Sequence, residues 1–376
     1  DMAAAQPVYF DASNPAYPAY NSETDYIKLR GGTFSSDVTS YVAENYTCIQ
    51  NNGEYTVKPL KDVAVAKIGD ILYPTLTKAI DAVPDNGESA TTVTLIKDST
   101  EDVTIPANKK VALNLNGKKL TNVSSNTITN NGTLTITGEG TVDNVTHAKA
   151  AIYNKGTVTL NGGTYDRSNE DGVDADNAGT NTYYTILNHG KMTVDSSVTV
   201  RNKGHHSSLF ENGYYSHNSK DGIDNPTLTI TSGTYEGGLN TIKNDDDATL
   251  IINGGTFTNY TQAAFQNHGT ATVTAGSFIA NSKYAIDNCG CDATHDPGKL
   301  EISGGTFNGT LYIRSAYSNV TISDGYFNGS ISKTGGTLTI TGGYFTRHLA
   351  RERVAYKARR DALTKALREA FAPEEL

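Results

Sequence analysis

The sequence predicts an all-β protein folded as a right-handed parallel β-helix, a solenoid with about 20–24 residues in each coil. Two repeated patterns carry this prediction: a Gly-Gly-Thr-aromatic turn and a short strand that ends on asparagine. The composition is the third observation, because only 37% of the 376 residues are hydrophobic and none is Trp. A solenoid fits such a polar chain, since it buries a thin column of side chains rather than a broad core.

The turn pattern recurs with a regular period in the C-terminal half. Its second glycine returns after 22, 21, 29, 20 and 18 residues, at Gly233, Gly255, Gly276, Gly305, Gly325 and Gly343. Alternating β-branched strands such as residues 227–230 precede most of these turns. Glycine permits the positive φ of a sharp corner, and the aromatic that follows is expected to turn inward and stack on its equivalent in the next coil.

The second pattern places an asparagine at the end of a short strand in each coil. The successive steps are 24, 34, 24, 32, 23 and 21 residues, and the series is Asn130, Asn154, Asn188, Asn212, Asn244, Asn267 and Asn288. Asparagine hydrogen-bonds well to its own kind when identical side chains stack. The series therefore predicts a structural asparagine ladder.

The repeat is interrupted by three insertions, at residues 166–180, 213–226 and 289–298. In solenoids, insertions become loops on one face, which is often the binding face. We therefore expect functional residues to lie in these insertions rather than in the repeated positions.

The chain divides into three parts. Residues 1–60 are predicted to be the end of a preceding β-helix repeat followed by a β-hairpin junction that turns at Asn52-Gly53. Residues 61–346 form the parallel β-helix, which begins with a capping helix at residues 75–83 whose apolar face covers exposed strand edges.

Residues 347–376 are predicted to form a basic amphipathic helix. They contain eight Lys or Arg against five Asp or Glu, whereas the whole chain has a net charge of -9. The helix would cap the C-terminal end of the solenoid, mediate oligomerisation or be a fusion segment, and the sequence leaves these three alternatives open.

Charge and hydropathy exclude two classes of partner. The remainder of the chain is acidic, whereas nucleic-acid binding requires a basic face, so we expect no nucleic-acid partner. No apolar run reaches the length of a transmembrane helix, so the fragment is not expected to be transmembrane.

The three cysteines are too few for a disulfide framework. Cys289 and Cys291, with His295 nearby, fall short of a zinc site, which normally has four ligands. We expect Cys289 and Cys291 to form a tight disulfide or to be two free thiols. Cys48 is expected to be a lone core residue.

An acidic triplet is the candidate catalytic group. Asp245, Asp246 and Asp247 follow a ladder asparagine, and His268 occupies the matching corner of the next coil, about 5 Å away by strand spacing. A paired Asp and His can perform acid–base chemistry on a polysaccharide. The simpler interpretation is a solvated, exposed turn, and this is the one that we favour.

The insertions hold two further candidate sites. Asp171, Asp174 and Asp176 offer carboxylates on a turn-rich backbone, which suits calcium, the one cofactor that we consider. A second set combines aromatic rings with carboxylates that could bind a sugar or a protein partner: Tyr214, Tyr215, His217, Asp221 and Asp224. The alternatives are solvated loops and tyrosines that fold back over the edge of the coil.

Several segments resemble a known family. They are residues 31–37 (Gly-Gly-Thr-Phe-Ser-Ser-Asp), 51–57 (Asn-Asn-Gly-Glu-Tyr-Thr-Val) and 113–117 (Leu-Asn-Leu-Asn-Gly). Together they resemble the repetitive β-helix cell-surface, adhesin-like proteins of Gram-positive gut bacteria, over roughly residues 25–346. The resemblance implies an extracellular protein of the bacterial cell surface and says little about its ligand.

The leading hypothesis is a secreted adhesin or surface-stalk domain without enzymatic activity. It would present residues 166–180 and 213–226 to a glycan or a host surface protein. The second hypothesis is a polysaccharide-degrading lyase or glycoside hydrolase. The third is a structural spacer or filament subunit that self-associates through its coil ends or its C-terminal helix.

Overall fold

The computed structural model describes residues 28–170, 182–195, 197–204, 206–345 and 357–365. Within these ranges the chain is mostly strand, with few helices. A small antiparallel sheet precedes one long mixed sheet in which most strands are parallel. The expected β-rich fold class is therefore confirmed at this level.

The first sheet contains three strands: β1 (Gly32–Phe34), β2 (Tyr46–Asn51) and β3 (Glu54–Pro59). Strand β3 pairs antiparallel with both β1 and β2. The β2–β3 hairpin turns at Asn52 and Gly53, which both have positive φ. An Asn-Gly pair is the preferred sequence for a two-residue hairpin turn of this kind.

Two short helices and the first two strands of the long sheet follow next in the chain. They are α1 (Leu60–Val63), β4 (Ala66–Ile68), β5 (Ile71–Tyr73) and α2 (Leu76–Asp81). Helix α2 is shorter than the predicted 75–83. Thr75 is its N-cap, and the carboxylate of Glu101 accepts hydrogen bonds from its first two backbone amides at 2.8 and 2.9 Å. Its apolar side packs against β4 and β5, at the start of the long sheet.

The remaining strands are, in chain order, β6 (Thr91–Leu95), β7 (Ser99–Thr100), β8 (Val103–Ile105), β9 (Lys110–Asn114), β10 (Lys118–Thr121), β11 (Ile128–Asn130), β12 (Thr133–Thr137), β13 (Gly140–Asp143), β14 (Ile152–Asn154), β15 (Thr157–Asn161), β16 (Thr164–Asp166), β17 (Ile186–Asn188), β18 (Lys191–Val194), β19 (Thr199–Arg201), β20 (Phe210–Asn212), β21 (Thr227–Ile230), β22 (Thr234–Glu236), β23 (Asn240–Asn244), β24 (Thr249–Asn259), β25 (Ala263–Asn267), β26 (Thr270–Asn288), β27 (Lys299–Ile313), β28 (Asn319–Phe327), β29 (Ile331–Lys333), β30 (Thr337–Ile340) and β31 (Tyr344–Phe345).

Strand pairing in the long sheet follows the sequence repeat. From β6 to β21, each strand pairs in parallel with the third strand after it, as β11 does with β14 and β14 with β17. From β24 onward, neighbouring strands merge into longer ones, so that β24 pairs with β26 and β26 with β27. The register places equivalent residues of successive repeats side by side.

A continuous hydrophobic core follows from the alternation of side chains along the strands. In β12, for example, Leu134 and Ile136 are fully buried whereas the three threonines are only half-buried. The aromatics of the turns stack with ring centroids 4.6–5.0 Å apart and nearly parallel planes; they are Tyr235, Phe257, Phe278, Phe307, Phe327 and Phe345. The stacking that the turn motif predicts is therefore present.

The predicted asparagine ladder is also present. Each side-chain amide donates to the Oδ1 atom of the next asparagine over 2.6–2.9 Å, along the series Asn130, Asn154, Asn188, Asn212, Asn244, Asn267 and Asn288. All seven side chains are fully buried. The ladder begins where the preceding strand offers Ile105 opposite Asn130, so the Oδ1 atom of Asn130 has no partner among the described residues.

Residues 357–365 form a helix, and all nine are exposed. The rest of the predicted helix, at 347–356 and 366–376, lies outside the described residues. Among the residues that the structure describes, no helix is both long enough and apolar enough to cross a membrane.

Replacing Asn188 with alanine should lower the free energy of unfolding by about 2–3 kcal/mol, because it leaves its buried neighbours in the ladder unsatisfied. Its amide donates to Asn212 at 2.6 Å and to the backbone carbonyl of Thr227 at 3.1 Å. Chemical denaturation measures the change. The matched control is Asn319→Ala at an exposed strand position. If the two substitutions lowered the free energy of unfolding equally, the hydrogen bonds of the ladder would not contribute to stability beyond those of an exposed asparagine.

Candidate functional site

Two of the three insertions meet over the acidic triplet, which we call the acidic corner (Asp245, Asp246 and Asp247). Residues 213–226 form an isolated antiparallel bridge with it, between Tyr214 and Asp246. Residues 289–298 reach it from the other direction, where the amide of Asp247 donates to the carbonyl of His295 at 2.7 Å. The corner is therefore covered by both insertions.

Asp247 holds the two insertions together. Its Oδ2 atom lies 2.7 Å from Nδ1 of His217 and 3.1 Å from Nζ of Lys220, and its Oδ1 atom lies 2.7 Å from Nδ1 of His295. The two imidazole rings stack with their centroids 3.4 Å apart. Burial would raise the pKa of Asp247, but these three partners outweigh it and hold the pKa below its ordinary value.

Asp245 is not the exposed corner residue that the repeat predicts, since only 3% of it is exposed. Its carboxylate contacts Nζ of Lys243, which also lies 3.3 Å from buried Glu211. Burial and the neighbouring Asp245 raise the pKa of Glu211 well above its ordinary value. Burial also tends to raise the pKa of Asp245, but the positive charge of Lys243 outweighs burial, and the pKa of Asp245 is lowered.

The hydrogen-bond partner of His268 is not Asp245, the acid considered with it as an alternative to a solvated turn. Its Nδ1 atom lies 3.2 Å from Oδ2 of Asp296, a residue of the third insertion. Asp246 accepts a hydrogen bond from the backbone amide of His217 at 2.8 Å, and burial is the main cause of its raised pKa. Asp246 and Asp247 therefore contact the insertions, whereas Asp245 is paired with Lys243 of the sheet.

The residues predicted to bind a ligand in 213–226 differ in their accessibility. Tyr214 is fully buried, and its hydroxyl donates to the carbonyl of Ile223 at 2.6 Å, so this ring folds back onto the coil. Tyr215 is 82% exposed, with its ring 5.4 Å from Nζ of Lys243. Of these two tyrosines, Tyr215 is the one whose ring is exposed to solvent.

The acids of the same insertion are also unequal. Asp221 contacts the Tyr153 hydroxyl and the His189 ring, and it lies 3.0 Å from Nζ of Lys155. These contacts fasten the insertion to strand β14 and to the residues that follow β14 and β17. Asp224 is almost fully exposed, with Nζ of Lys220 at 3.7 Å.

The first insertion is described only at its base. Asp171, Asp174 and Asp176, the predicted calcium ligands, lie outside the described residues. At the base, the fully buried Arg167 pairs with Glu170 at 2.9 Å, and Glu170 accepts a hydrogen bond from Thr182 at 2.7 Å. Through the hydrogen bond of Glu170 with Thr182, this buried pair contacts the chain that follows the insertion.

A groove that the sequence did not reveal lies beside this base. It encloses about 630 Å³ and is lined by the side chains of Asp166, Arg201, Asn202, Lys203, Glu236 and Tyr260, among others. Asp166, Arg201 and Glu236 occupy equivalent positions on β16, β19 and β22, so one charged side chain comes from each repeat.

Contacts within the groove fix its polar groups. Nε of Arg201 lies 2.8 Å from Oδ2 of Asp166, and the hydroxyl of Tyr260 donates to Oε1 of Glu236 at 2.8 Å. Tyr260 is 53% exposed. In the sequence, each residue of this row directly follows the inward-facing side chain of a turn strand. The row does not stand out in the sequence, because the residue type at this position changes from repeat to repeat.

Two sets of metal-ligating side chains converge near the acidic corner. They are His217, Asp247 and His295, and His268, Cys289 and Cys291, with all ligand atoms of a set within 4.8 Å of one another. The three cysteines are free. Burial raises the pKa of Cys289, and burial together with Asp296 raises the pKa of Cys291 to about 12.

No protein-family model matches this chain, and no curated protein or solved structure matches it either. What the sites do must therefore be inferred from their own residues.

Asp247→Asn is expected to release both insertions, because an amide cannot satisfy two imidazoles and an ammonium together. Backbone hydrogen exchange in 213–226 and 289–298 should become about tenfold faster at near-neutral pH. The pKa of Asp247 is lowered, so its carboxylate stabilises the fold above the ordinary value of 3.8 and stops doing so as the pH falls through the lowered pKa. The difference between wild type and variant should therefore close in acid.

The matched control is Asp224→Asn, an exposed aspartate of the same insertion. It should leave the exchange unchanged at every pH. A difference for Asp247→Asn that persists undiminished in acid would contradict the role given to the carboxylate.

Proposed function

We propose that this chain is an extracellular right-handed parallel β-helix that acts as an adhesin or surface stalk and binds a neutral glycan in the groove beside Tyr260. The observation that carries the proposal is the groove itself, an open trough lined by one polar side chain from each successive repeat and by an exposed aromatic ring.

The three-strand period supports the β-helical arrangement. Each strand pairs in parallel with its equivalent one repeat later, and the turn aromatics and asparagines stack along the same direction. Crossovers between parallel strands are right-handed in nearly all proteins. A rigid scaffold of this kind holds the lining of a groove at fixed spacing, which suits recognition of a repeating polymer.

The chemistry of the groove suits a neutral sugar. The half-exposed ring of Tyr260 can stack on the apolar face of a pyranose, and Glu236 and Arg201 can exchange hydrogen bonds with its hydroxyls. Two acids of the lining, Asp166 and Glu236, balance the charges of Arg201 and Lys203, and the third cation of the lining, Arg167, is paired with Glu170. A strongly anionic polysaccharide therefore has little electrostatic reason to bind there.

Binding is favoured over catalysis because the acids of the corner are already engaged. Asp245 is buried against Lys243, and Asp247 contacts two histidines and a lysine. A general acid must come within hydrogen-bond distance of the glycosidic oxygen, which a buried, ion-paired carboxylate cannot do.

One observation favours a polysaccharide-degrading enzyme as the second candidate. Asp166 and Glu236 face the same groove two register steps apart, which is about 9–10 Å along the stack. Inverting glycosidases place their two carboxyl groups about 6.5–9.5 Å apart. Both acids have a partner in the groove, and for this reason we place catalysis second.

Tyr260→Ala is expected to weaken glycan binding about tenfold, which corresponds to roughly 1.4 kcal/mol of lost stacking. A glycan array identifies the ligand, and calorimetry then measures its affinity. Tyr317→Ala is the matched control, since Tyr317 is 52% exposed and lies outside the groove. An equal affinity for both variants would refute the groove as the binding site.

A reducing-sugar assay on the same glycan separates the candidate functions. Binding without turnover supports the adhesin. Turnover that Glu236→Gln or Asp166→Asn abolishes would establish the enzyme instead, and a chain that neither binds nor cleaves any glycan on the array would be a structural spacer.

A further inference from the structure

The third insertion folds into a tight turn. The amide of Cys291 donates to the carbonyl of Asp296 at 2.8 Å, and Oδ1 of Asp292 accepts from the amides of Thr294 and His295 at 2.7 Å each. These hydrogen bonds bring Cys291 and Asp296 to the same end of the turn.

Four side chains with metal-ligating atoms meet at this end of the turn. His268 and Cys289 follow Asn267 and Asn288, which are partners in adjacent strands, so they occupy equivalent positions in neighbouring repeats. The ligand atoms of His268, Cys289 and Cys291 all lie within 4.8 Å of one another. Asp296 contributes the fourth group, since its Oδ2 atom is 3.2 Å from His268 Nδ1 and its carboxylate interacts with the Cys291 thiol.

A buried oxygen without a partner points to a bound ion. Asp296 is only 4% exposed, and its Oδ1 atom has no hydrogen-bond partner among the described residues. A buried carboxylate oxygen left unsatisfied costs free energy, so native structures normally pair such an atom with a donor, water or an ion. Here the adjacent groups are two thiols and an imidazole.

The donor set selects the metal. Two sulfurs, one imidazole nitrogen and one carboxylate oxygen suit zinc, which prefers four ligands in a tetrahedron at about 2.0–2.3 Å. Calcium and magnesium require shells of oxygen and would reject the thiolates. The ligand atoms of His268, Cys289 and Cys291 already lie within 4.8 Å of one another. A short inward movement of these side chains would bring the atoms to the closer spacing of a zinc site.

We propose that His268, Cys289, Cys291 and Asp296 form a structural zinc site that fastens the third insertion to the preceding coil. Binding releases the protons of the two thiols to solvent and leaves zinc with two thiolates, one neutral imidazole and one carboxylate. No oxidant is consumed, and the site does not depend on what the groove binds.

The neighbouring set of His217, Asp247 and His295 is a poorer metal site. The ammonium of Lys220 lies 3.1 Å from Oδ2 of Asp247 and would repel a cation there. The stacked imidazoles already direct their Nδ1 atoms to the two oxygens of this one carboxylate. Because His295 directly precedes Asp296, zinc at the proposed site would also hold His295 against Asp247.

The test uses the full chain, freed of metal by chelation under reducing conditions. Titration with zinc should show one ion per chain and raise the melting temperature, and cobalt(II) should produce the sulfur-to-cobalt charge-transfer absorption of thiolate ligation. Cys291→Ser and His268→Ala should each weaken zinc binding by about 100-fold or more. Cys48→Ser, which removes the distant cysteine of the hairpin, should leave it unchanged.

Three results would overturn the proposal. They are retention of tight zinc binding by Cys291→Ser, loss of binding in His217→Ala with retention in His268→Ala, and a metal-free chain that folds yet binds neither zinc nor cobalt. Thiol titration of the denatured protein supplies an independent readout, because a single reactive thiol instead of three would mean that Cys289 and Cys291 form a disulfide. Circular dichroism of each variant shows whether a lost site is only a lost fold.

Discussion

The fold depends on in-register parallel pairing, which places each residue beside its equivalent in the next repeat. Every side chain at a repeated position must therefore tolerate a near copy of itself about 4.8 Å away. Asparagine meets this condition by donating from one amide to the next, and the turn aromatics meet it by stacking. Along one row, Asp166, Arg201 and Glu236 alternate in sign, whereas Asp143, which lies beside Asp166, is paired with Lys119.

Residues at the repeated positions stabilise the stack of repeats. Residues that can bind a ligand therefore lie in the insertions and at the edges of the turns. The insertions do more than extend from the strands, because two of them fold over the acidic corner and contact Asp246 and Asp247. The groove remains accessible, and side chains of successive repeats line it at a regular spacing. A scaffold with these properties is better suited to gripping an extended polymer than to enclosing a small molecule.

The repeated elements could be predicted from the sequence because their cause is periodic and local. The asparagine ladder, the stacked aromatics and the Asn52-Gly53 turn all follow from spacing and residue type. The partners within the insertions could not be predicted, because they depend on the path of a non-repeating loop. The sequence places His295 near the two cysteines, but its side chain contacts Asp247. The residues that lie beside the cysteines are instead its neighbour Asp296 and the distant His268. The burial of Tyr214 beside the exposed Tyr215 has the same cause.

The central claim is that the repeats stack in register, and distances between spin labels test it most directly. Thr157 is five register steps from Lys299 and seven from Thr337. At about 4.8 Å per step, labels placed at these positions through a non-canonical amino acid should be about 24 and 34 Å apart, allowing for the length of the labels. Equal distances for the two pairs, or a shorter distance for the pair with more steps, would contradict the stacked arrangement and every site built on it.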